Sequence, residues 1–149
     1  MAIERILVAS DLEAKSEAAL RYGAYLARHL EAELVVTHVV QSRDLEFEDG
    51  VHRPERVGDI ALDKARHQLE SHVAGVAMGH VATHLDVRFG DPALDVIAAA
   101  TEHGCSLIAI TVESRSRLGK LLMGSHAQQI LLDSPIPVVG VKPDWSEPR

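Results

Sequence analysis

The residues best suited to chemistry lie between positions 111 and 125, where an apolar run typical of a strand leads into a predicted helix. Gly124 and Ser125 open that helix. The free backbone N–H groups and the dipole of a helix N-terminus favour an anion, and the Ser125 hydroxyl adds a donor. Three basic residues precede the helix and could neutralise phosphates: Arg115, Arg117 and Lys120. The segment is a candidate phosphate site, although a plain helix cap and a solvated basic loop account for the same residues.

Two further candidates lie at the ends of other apolar runs. Asp11 follows the run 3–9, and its carboxylate could accept a hydrogen bond from an adenine amino group or a ribose hydroxyl. It could equally cap a helix or a turn. Val39 lies near the end of the run 34–40. In a doubly wound sheet, ligands bind beyond the carboxyl ends of the strands where the strand order reverses. We therefore expect these residues and the segment 111–125 to converge if the first and fourth strands are neighbours.

Alternating strands and helices must position these residues. Short apolar runs predict strands over 3–9, 34–40, 81–89, 107–112 and 136–141. Amphipathic or capped segments predict helices over 16–30, 57–76 and 124–133, and another from the turn at 90–92 to His103. Gly79 is expected to stop the second helix, and the polar residues 41–54 and 143–149 are expected to form a loop and a tail. This alternation predicts a parallel sheet with helices on both faces.

Length, charge and composition limit the class of protein. The chain has 149 residues and shows neither a linker nor an internal repeat, so we predict a single domain over residues 1–149. A net charge of −7 argues against a nucleic-acid-binding protein, which would carry a basic patch. No stretch approaches the ~20 apolar residues of a membrane span, and the N-terminal apolar run is too short for a signal peptide. We therefore expect a cytoplasmic protein with no nucleic-acid or membrane partner.

Catalytic and metal sites are not expected. The nine histidines show no metal-ligand spacing. The sequence contains no Walker loop, no Gly-x-Ser-x-Gly motif and no evident pair of catalytic carboxylates. The single cysteine, Cys105, has neither a disulfide partner nor a neighbouring base, so we expect a small buried side chain. We predict no enzyme activity and no metal.

Several segments, taken in their order and spacing, resemble the universal stress protein family. They are the first strand ending at Asp11, residues 32–39 of the second strand, the turn at 90–92, Gly124 with Ser125, and the run 134–139. The resemblance covers residues 3–141. It implies an α/β fold: a doubly wound five-stranded parallel sheet with strand order 3-2-1-4-5 and helices on both faces.

ATP-binding members of that family carry glycine, two residues, glycine, nine residues, then glycine and serine or threonine. Thr111, Ser114 and Gly124 occupy the three glycine positions here, so only the end of the pattern is kept. Glycine would let the backbone approach a phosphate and adopt positive φ without penalty. Thr111 and Ser114 add side-chain atoms on that approach, and Glu113 adds negative charge facing a triphosphate. The resemblance places base contacts at Asp11 and Val39, and phosphate and ribose contacts at Thr111, Ser114, Gly124 and Ser125.

Two functions stay open on this basis. One is a cytoplasmic homodimer in stress response that acts through protein contacts and has a degenerate nucleotide-binding loop. The other is a regulatory stress protein that binds an adenine nucleotide, ATP or AMP. The loss of both early glycines favours the first for ATP, while the remaining site residues leave room for a ligand with fewer phosphates. Family members commonly dimerise through the last strand, and the apolar run 136–141 implies the same homodimer here.

Overall fold

The computed structural model describes residues 2–41, 54–76, 78–113 and 123–149, with the backbone alone for 54–57. Its strands are β1 (Arg5–Ala9), β2 (Glu33–Val40), β3 (Thr83–Phe89), β4 (Leu107–Thr111) and β5 (Val138–Val141). Its helices are α1 (Glu17–Leu30), α2 (Pro54–Ala74), α3 (Leu94–Glu102) and α4 (Ser125–Asp133), and a short 3-10 helix at Ala14–Ser16 precedes α1. The predicted alternation of strands and helices is confirmed.

All five strands of this sheet are parallel, in the order β3-β2-β1-β4-β5. The predicted order is therefore confirmed. The chain moves outward from β1 to β3 on one side and then returns to place β4 beside β1, with Val8 opposite Ala109. This reversal between β1 and β4 separates the two halves of the sheet at their carboxyl ends, which is where a ligand cleft is expected in this type of fold.

Two apolar layers cover the sheet because successive strand residues point to opposite faces. On one face, Ile6, Val8 and Leu34 pack with Leu20 of α1 and Leu69 of α2. On the other face, Leu7, Val35 and Ile108 pack with Ala99 of α3 and Ile130 of α4. Both layers rely on aliphatic side chains, as expected for a chain with only 3% aromatic residues.

Helix α1 lies especially close to the sheet. Its buried positions include Ala18, Ala19, Ala24 and Ala27. A Cβ added to Gly23 would collide with the side chain of Val8 and lie 3.1 Å from Leu34 Cδ1. The small residues of this helix therefore set the distance between α1 and the strands β1 and β2. They thereby fix the position of the loop that joins β1 to α1.

Several predicted boundaries are wrong in detail, among them the start of α2 at Pro54 and that of β3 at Thr83. Helix α2 ends at Ala74 and not at Gly79, which has φ +66 in the turn before β3. Strand β1 begins at Arg5, two residues later than predicted. Strand β5 begins only at Val138, because Ser134 and Ile136 form a local turn in which the Ser134 hydroxyl donates to Ile136 O at 2.8 Å. Residues 42–53 of the predicted loop lie outside the described residues.

The last residues are anchored on α1 and do not form the simple polar tail that the sequence predicts. Trp145 packs against Tyr22 in an edge-to-face arrangement with ring centroids 5.2 Å apart, and it also approaches Tyr25 at 5.6 Å. Arg28 donates to Glu147 at 2.8 Å. Offset and edge-to-face aromatic pairs add stability beyond the area that they bury. Among the described residues, no helix has the length and apolar character needed to cross a membrane.

Candidate functional site

A cleft of about 510 Å³ opens at the carboxyl ends of β1 and β4, where the strand order reverses. Its polar lining comes mainly from the loop after β1, from Glu113 and from the start of α4, whereas Val39, Val96, Ile110 and Ile130 supply apolar walls. This volume falls in the range of about 300–1,000 Å³ typical of small-molecule sites. The cleft thus combines apolar walls with polar groups concentrated at one rim.

The loop after β1 is held in a fixed shape by short hydrogen bonds. Ser10 donates its amide to Thr37 O at 2.9 Å, and its hydroxyl accepts the Leu12 amide at 3.1 Å. Leu12 has φ +66, a left-handed conformation that is uncommon for a leucine and that these bonds stabilise. Ser16 closes the loop by donating its hydroxyl to Glu13 O at 2.8 Å.

Asp11 takes the turn-forming role that the sequence allowed, because its Oδ1 accepts the Glu13 amide at 2.9 Å. Its other oxygen, Oδ2, lies 4.0 Å from Lys15 Nζ. The side chain is 48% exposed and lines the cleft. One carboxylate oxygen therefore holds the loop while the second is left with only a long ion pair and can face a ligand.

His38 enters the cleft from the end of β2. Its Nδ1 lies 2.7 Å from Ser10 O. A carbonyl oxygen can only accept, so Nδ1 carries the proton in this contact, and Nε2 of the neutral ring is an acceptor. The imidazole therefore links β2 to the loop after β1 and can offer an acceptor to a ligand hydroxyl or amino group.

Thr111 is turned toward helix α1. Its Oγ1 accepts the Ala19 amide at 3.1 Å and lies 3.4 Å from Ser16 O, to which the hydroxyl donates. The first amides of a helix have no partner within the helix, so this side chain satisfies one of them. Thr111 lines the cleft, but its hydroxyl is engaged in holding the start of α1 against the end of β4.

The start of α4 forms the opposite rim. Gly124 is the N-cap residue in extended conformation, with φ −63 and ψ 157, and it has no side chain with which to cap the helix. Ser125 and His126 follow and also line the cleft. A Cβ added to Gly124 would lie 3.1 Å from Glu113 Oε1, so a larger residue here would have to displace the Glu113 side chain slightly. The Glu113 carboxylate therefore lies close to Gly124, the residue that precedes the first turn of α4.

Lys15 joins the two rims. Its Nζ lies 3.3 Å from Glu113 Oε1, 3.3 Å from Glu13 Oε2 and 4.0 Å from Asp11 Oδ2. We call these four residues the Lys15 cluster. The hydrogen bonds with Glu13 and Glu113 raise the pKa of Lys15, so the ammonium group stays protonated. Among the described residues, the three carboxylates and one ammonium of this cluster sum to a net negative charge.

The cleft brings together the predicted residues Asp11, Val39, Thr111, Gly124 and Ser125. Ser114 and the basic residues Arg115, Arg117 and Lys120 lie outside the described residues. Sequence reasoning missed Lys15 and His126. Lys15 is four residues after Asp11, and His126 directly follows Ser125. Their closeness in sequence to these two predicted site residues could have indicated that they line the cleft.

Other chemistry finds little support in the described parts of the chain. They contain no group of three or more His, Cys, Asp or Glu side chains arranged to hold a metal ion. Cys105 is 6% exposed, as predicted, and burial raises the pKa of its thiol to about 11. The thiol is therefore protonated at neutral pH and poorly nucleophilic.

The fold and the cleft define a doubly wound α/β protein with a ligand-sized opening at the reversal of strand order. A model of the universal stress protein family matches residues 2–142. The chain therefore belongs to the universal stress protein family. A universal stress protein of Mycolicibacterium smegmatis (strain ATCC 700084 / mc(2)155) is 40% identical over 53 residues, which are 36% of this chain and 41% of that relative. That match thus spans about two fifths of the relative's length.

Solved structures share the fold at lower identity. The hypothetical protein MJ0577 superposes with a TM-score of 0.77 at 20% identity, covering 98% of this chain and all of that one. A universal stress protein from Archaeoglobus fulgidus in complex with dAMP gives a TM-score of 0.54 at 24% identity and covers 95% of this chain and 100% of that one. Another, in complex with cAMP, gives 0.63 at 17% identity over 97% of this chain and 100% of that one.

Proposed function

We propose that this protein is a regulatory universal stress protein whose cleft binds an adenine nucleoside or mononucleotide in preference to ATP. The observation that carries the proposal is the cleft of about 510 Å³ between the ends of β1 and β4. It is bounded by apolar side chains on one side and by the start of α4 on the other, an arrangement that suits a base at one end and a polar sugar or phosphate at the other.

The proposed ligand follows from the two rims. Val39 supplies an apolar surface for a base, and Asp11 Oδ2 and His38 offer acceptors to amino or hydroxyl groups. The start of α4 offers backbone N–H groups, but Glu113 stands beside it and Lys15 is already paired. Two family members of known structure hold dAMP and cAMP, each with a single phosphate. These features support a ligand with at most one phosphate.

We propose a non-catalytic cytoplasmic homodimer in stress response, joined through residues 136–141 and acting through contacts with other proteins. The position of β5 at an edge of the sheet supports this pairing, because an edge strand presents unpaired backbone groups.

A second candidate is a stress protein that acts through protein contacts alone and binds no nucleotide. It is favoured by the engagement of Thr111 with α1 and by the negative rim of the Lys15 cluster, both of which oppose a phosphorylated ligand. The two candidates differ only in whether the cleft is occupied.

Calorimetric titration of the full chain with adenosine, AMP and ATP separates the candidates. We expect AMP to bind with a Kd on the order of 10–100 µM and ATP to bind at least about tenfold more weakly. Absence of binding by adenosine and AMP would leave the contact-only function. ATP binding tighter than AMP binding would contradict the proposed preference.

A further inference from the structure

The Glu113 carboxylate lies close to Gly124, the N-cap residue of α4. Its Oε1 lies 3.1 Å, and its Cδ 3.2 Å, from where a Cβ of Gly124 would be. Anions are favoured beside the N-terminus of a helix, and here a side chain of the protein supplies the anion. Because Glu113 follows the end of β4 by two residues, the sheet brings its backbone to the mouth of the cleft.

Lys15 keeps this carboxylate in place from the other rim. The Lys15–Glu113 ion pair joins residues 98 positions apart and connects the loop after β1 with the end of β4. Lys15 also contacts Glu13 at 3.3 Å, so its single positive charge is shared by neighbouring carboxylates. An arriving phosphate therefore meets an excess of negative charge and gains little from Lys15.

We propose that Glu113 is a specificity-determining residue that limits how many negative charges a ligand of this cleft can carry. The proposal rests on the proposed function, because it concerns the same cleft. Each added phosphate brings charge toward Glu113, and like charges a few ångströms apart repel even at the high effective dielectric of a protein surface. An adenine nucleoside or monophosphate carries the least negative charge and is therefore repelled least by Glu113.

The test compares Glu113→Gln with the matched variant Glu13→Gln, using calorimetric titration with adenosine, AMP and ATP. Both variants remove one carboxylate that contacts Lys15 at 3.3 Å, but only Glu113 adjoins Gly124. We expect Glu113→Gln to leave the Kd for adenosine within about twofold, and to lower the Kd about threefold for AMP and about tenfold for ATP. Glu13→Gln should change each Kd by less than about threefold.

Lys15→Met should change the affinity for AMP and ATP in the opposite direction to Glu113→Gln. It removes the partner of Glu113 and leaves the carboxylates unneutralised, so binding of AMP and ATP should weaken relative to adenosine. Thermal unfolding of all three variants checks that they fold, which we expect because the ion pairs are about half exposed and contribute little stability.

The outcomes separate this inference from the proposed function. If the wild-type protein binds neither adenosine nor AMP, the proposed function fails, and a gain of AMP or ATP binding in Glu113→Gln would still support the charge limit. Where the wild-type protein binds, the inference is overturned if Glu113→Gln leaves the ratio of ATP to adenosine affinity unchanged. Where the wild-type protein does not bind, it is overturned if Glu113→Gln gains no binding of AMP or ATP. It is also overturned if Glu13→Gln raises ATP affinity as much as Glu113→Gln does.

Discussion

Thr111 shows at the scale of one residue why a missing glycine cannot be interpreted from the binding motif alone. ATP-binding relatives carry glycine at this position, and the sequence suggests that threonine merely obstructs a phosphate. In the structure the Thr111 hydroxyl accepts the Ala19 amide and donates to Ser16 O, so the side chain joins β4 to α1. The residue that departs from the motif therefore contributes to the fold.

Replacing Thr111 by glycine should consequently lower stability. Thr111→Gly leaves the Ala19 amide without this acceptor and adds backbone freedom in the unfolded chain, so we expect the free energy of unfolding to fall by about 1–2 kcal/mol. Thr111→Ser keeps the hydroxyl and should lose less than half as much. Urea unfolding at neutral pH measures both. Equal losses for the two variants would show that the hydroxyl contact is not the source of the stability.

At the scale of secondary-structure elements, a charged network ties the edge strand β3 to the end of α3. Arg88 donates from Nε and Nη2 to the two oxygens of Asp86, at 2.8 and 2.6 Å. His103 Nε2 donates to Asp86 Oδ2 at 2.7 Å, and Arg88 also contacts Glu102 at 2.7 Å. The Arg88 guanidinium and then His103 hold the pKa of Asp86 below its usual range against the effect of burial. Asp86, whose side chain is 10% exposed, is therefore the centre of this link.

Removing the charge of Asp86 should loosen β3 in a pH-dependent manner. Asp86→Asn should lower the free energy of unfolding by about 1–3 kcal/mol at pH 7, since hydrogen bonds to a charged, largely buried group are lost. Because the folded pKa is lowered, this stability is fully present above the unfolded pKa of about 4 and is lost as the pH falls through the folded value. The gap between wild type and variant should therefore close below about pH 4.

Glu102→Gln is the matched control for this network. Glu102 contacts the same guanidinium, but its side chain is 61% exposed whereas that of Asp86 is 10% exposed. Exposed ion pairs contribute about 0–1 kcal/mol, so the control should show a small loss. Urea unfolding at pH 7 and in steps down to pH 3 follows both variants. A larger loss in Glu102→Gln than in Asp86→Asn would contradict the assignment of Asp86 as the centre.

At the scale of the whole molecule, β5 is the edge through which we propose that two copies pair. Pro137 O accepts the Ile108 amide and Val141 O accepts the Val112 amide, so these positions face β4. Backbone groups alternate in direction along a strand, and the N–H and C=O groups of Val138 and Gly140 therefore point away from β4. These outward groups are the ones that a second copy would bind.

Val138→Pro tests the proposed dimer. Proline removes the outward N–H of residue 138 and leaves the bonds to β4 in place, so we expect it to weaken dimerisation at least about tenfold. Val138→Ala shortens the same side chain but keeps the N–H, and it should remain dimeric. Sedimentation velocity measures the masses against the 16.2 kDa chain. A monomeric wild-type protein, or equal dissociation of both variants, would contradict pairing through this edge.

The sequence by itself was sufficient for features that depend on neighbouring residues. Apolar runs and helical spacing predicted the strands and helices, and the resemblance to the family predicted the order of the sheet. The start of α4 at Gly124 and Ser125 and the turn that ends β3 were also predictable, because caps and turns require particular residue types at particular positions. The boundaries at Gly79 and Ile136 were wrong. The bonds at the end of α2 shift to the i−3 type, with the Val76 amide bonded to Val73 O, and a turn at Ser134 delays β5.

The arrangement of the candidate site depends on contacts between residues far apart in the chain. Thr111 and Ala19 are 92 residues apart, Lys15 and Glu113 are 98 apart, and Tyr22 lies far in sequence from Trp145. No local pattern contains these pairs, since they form only when β1 and β4 lie side by side and α1 packs closely on them. From the sequence, Asp11, Gly124 and Ser125 were expected to converge only if the first and fourth strands were neighbours. Packing decided that Thr111 bonds to α1 and that Glu113, paired with Lys15, lies close to Gly124 at the start of α4.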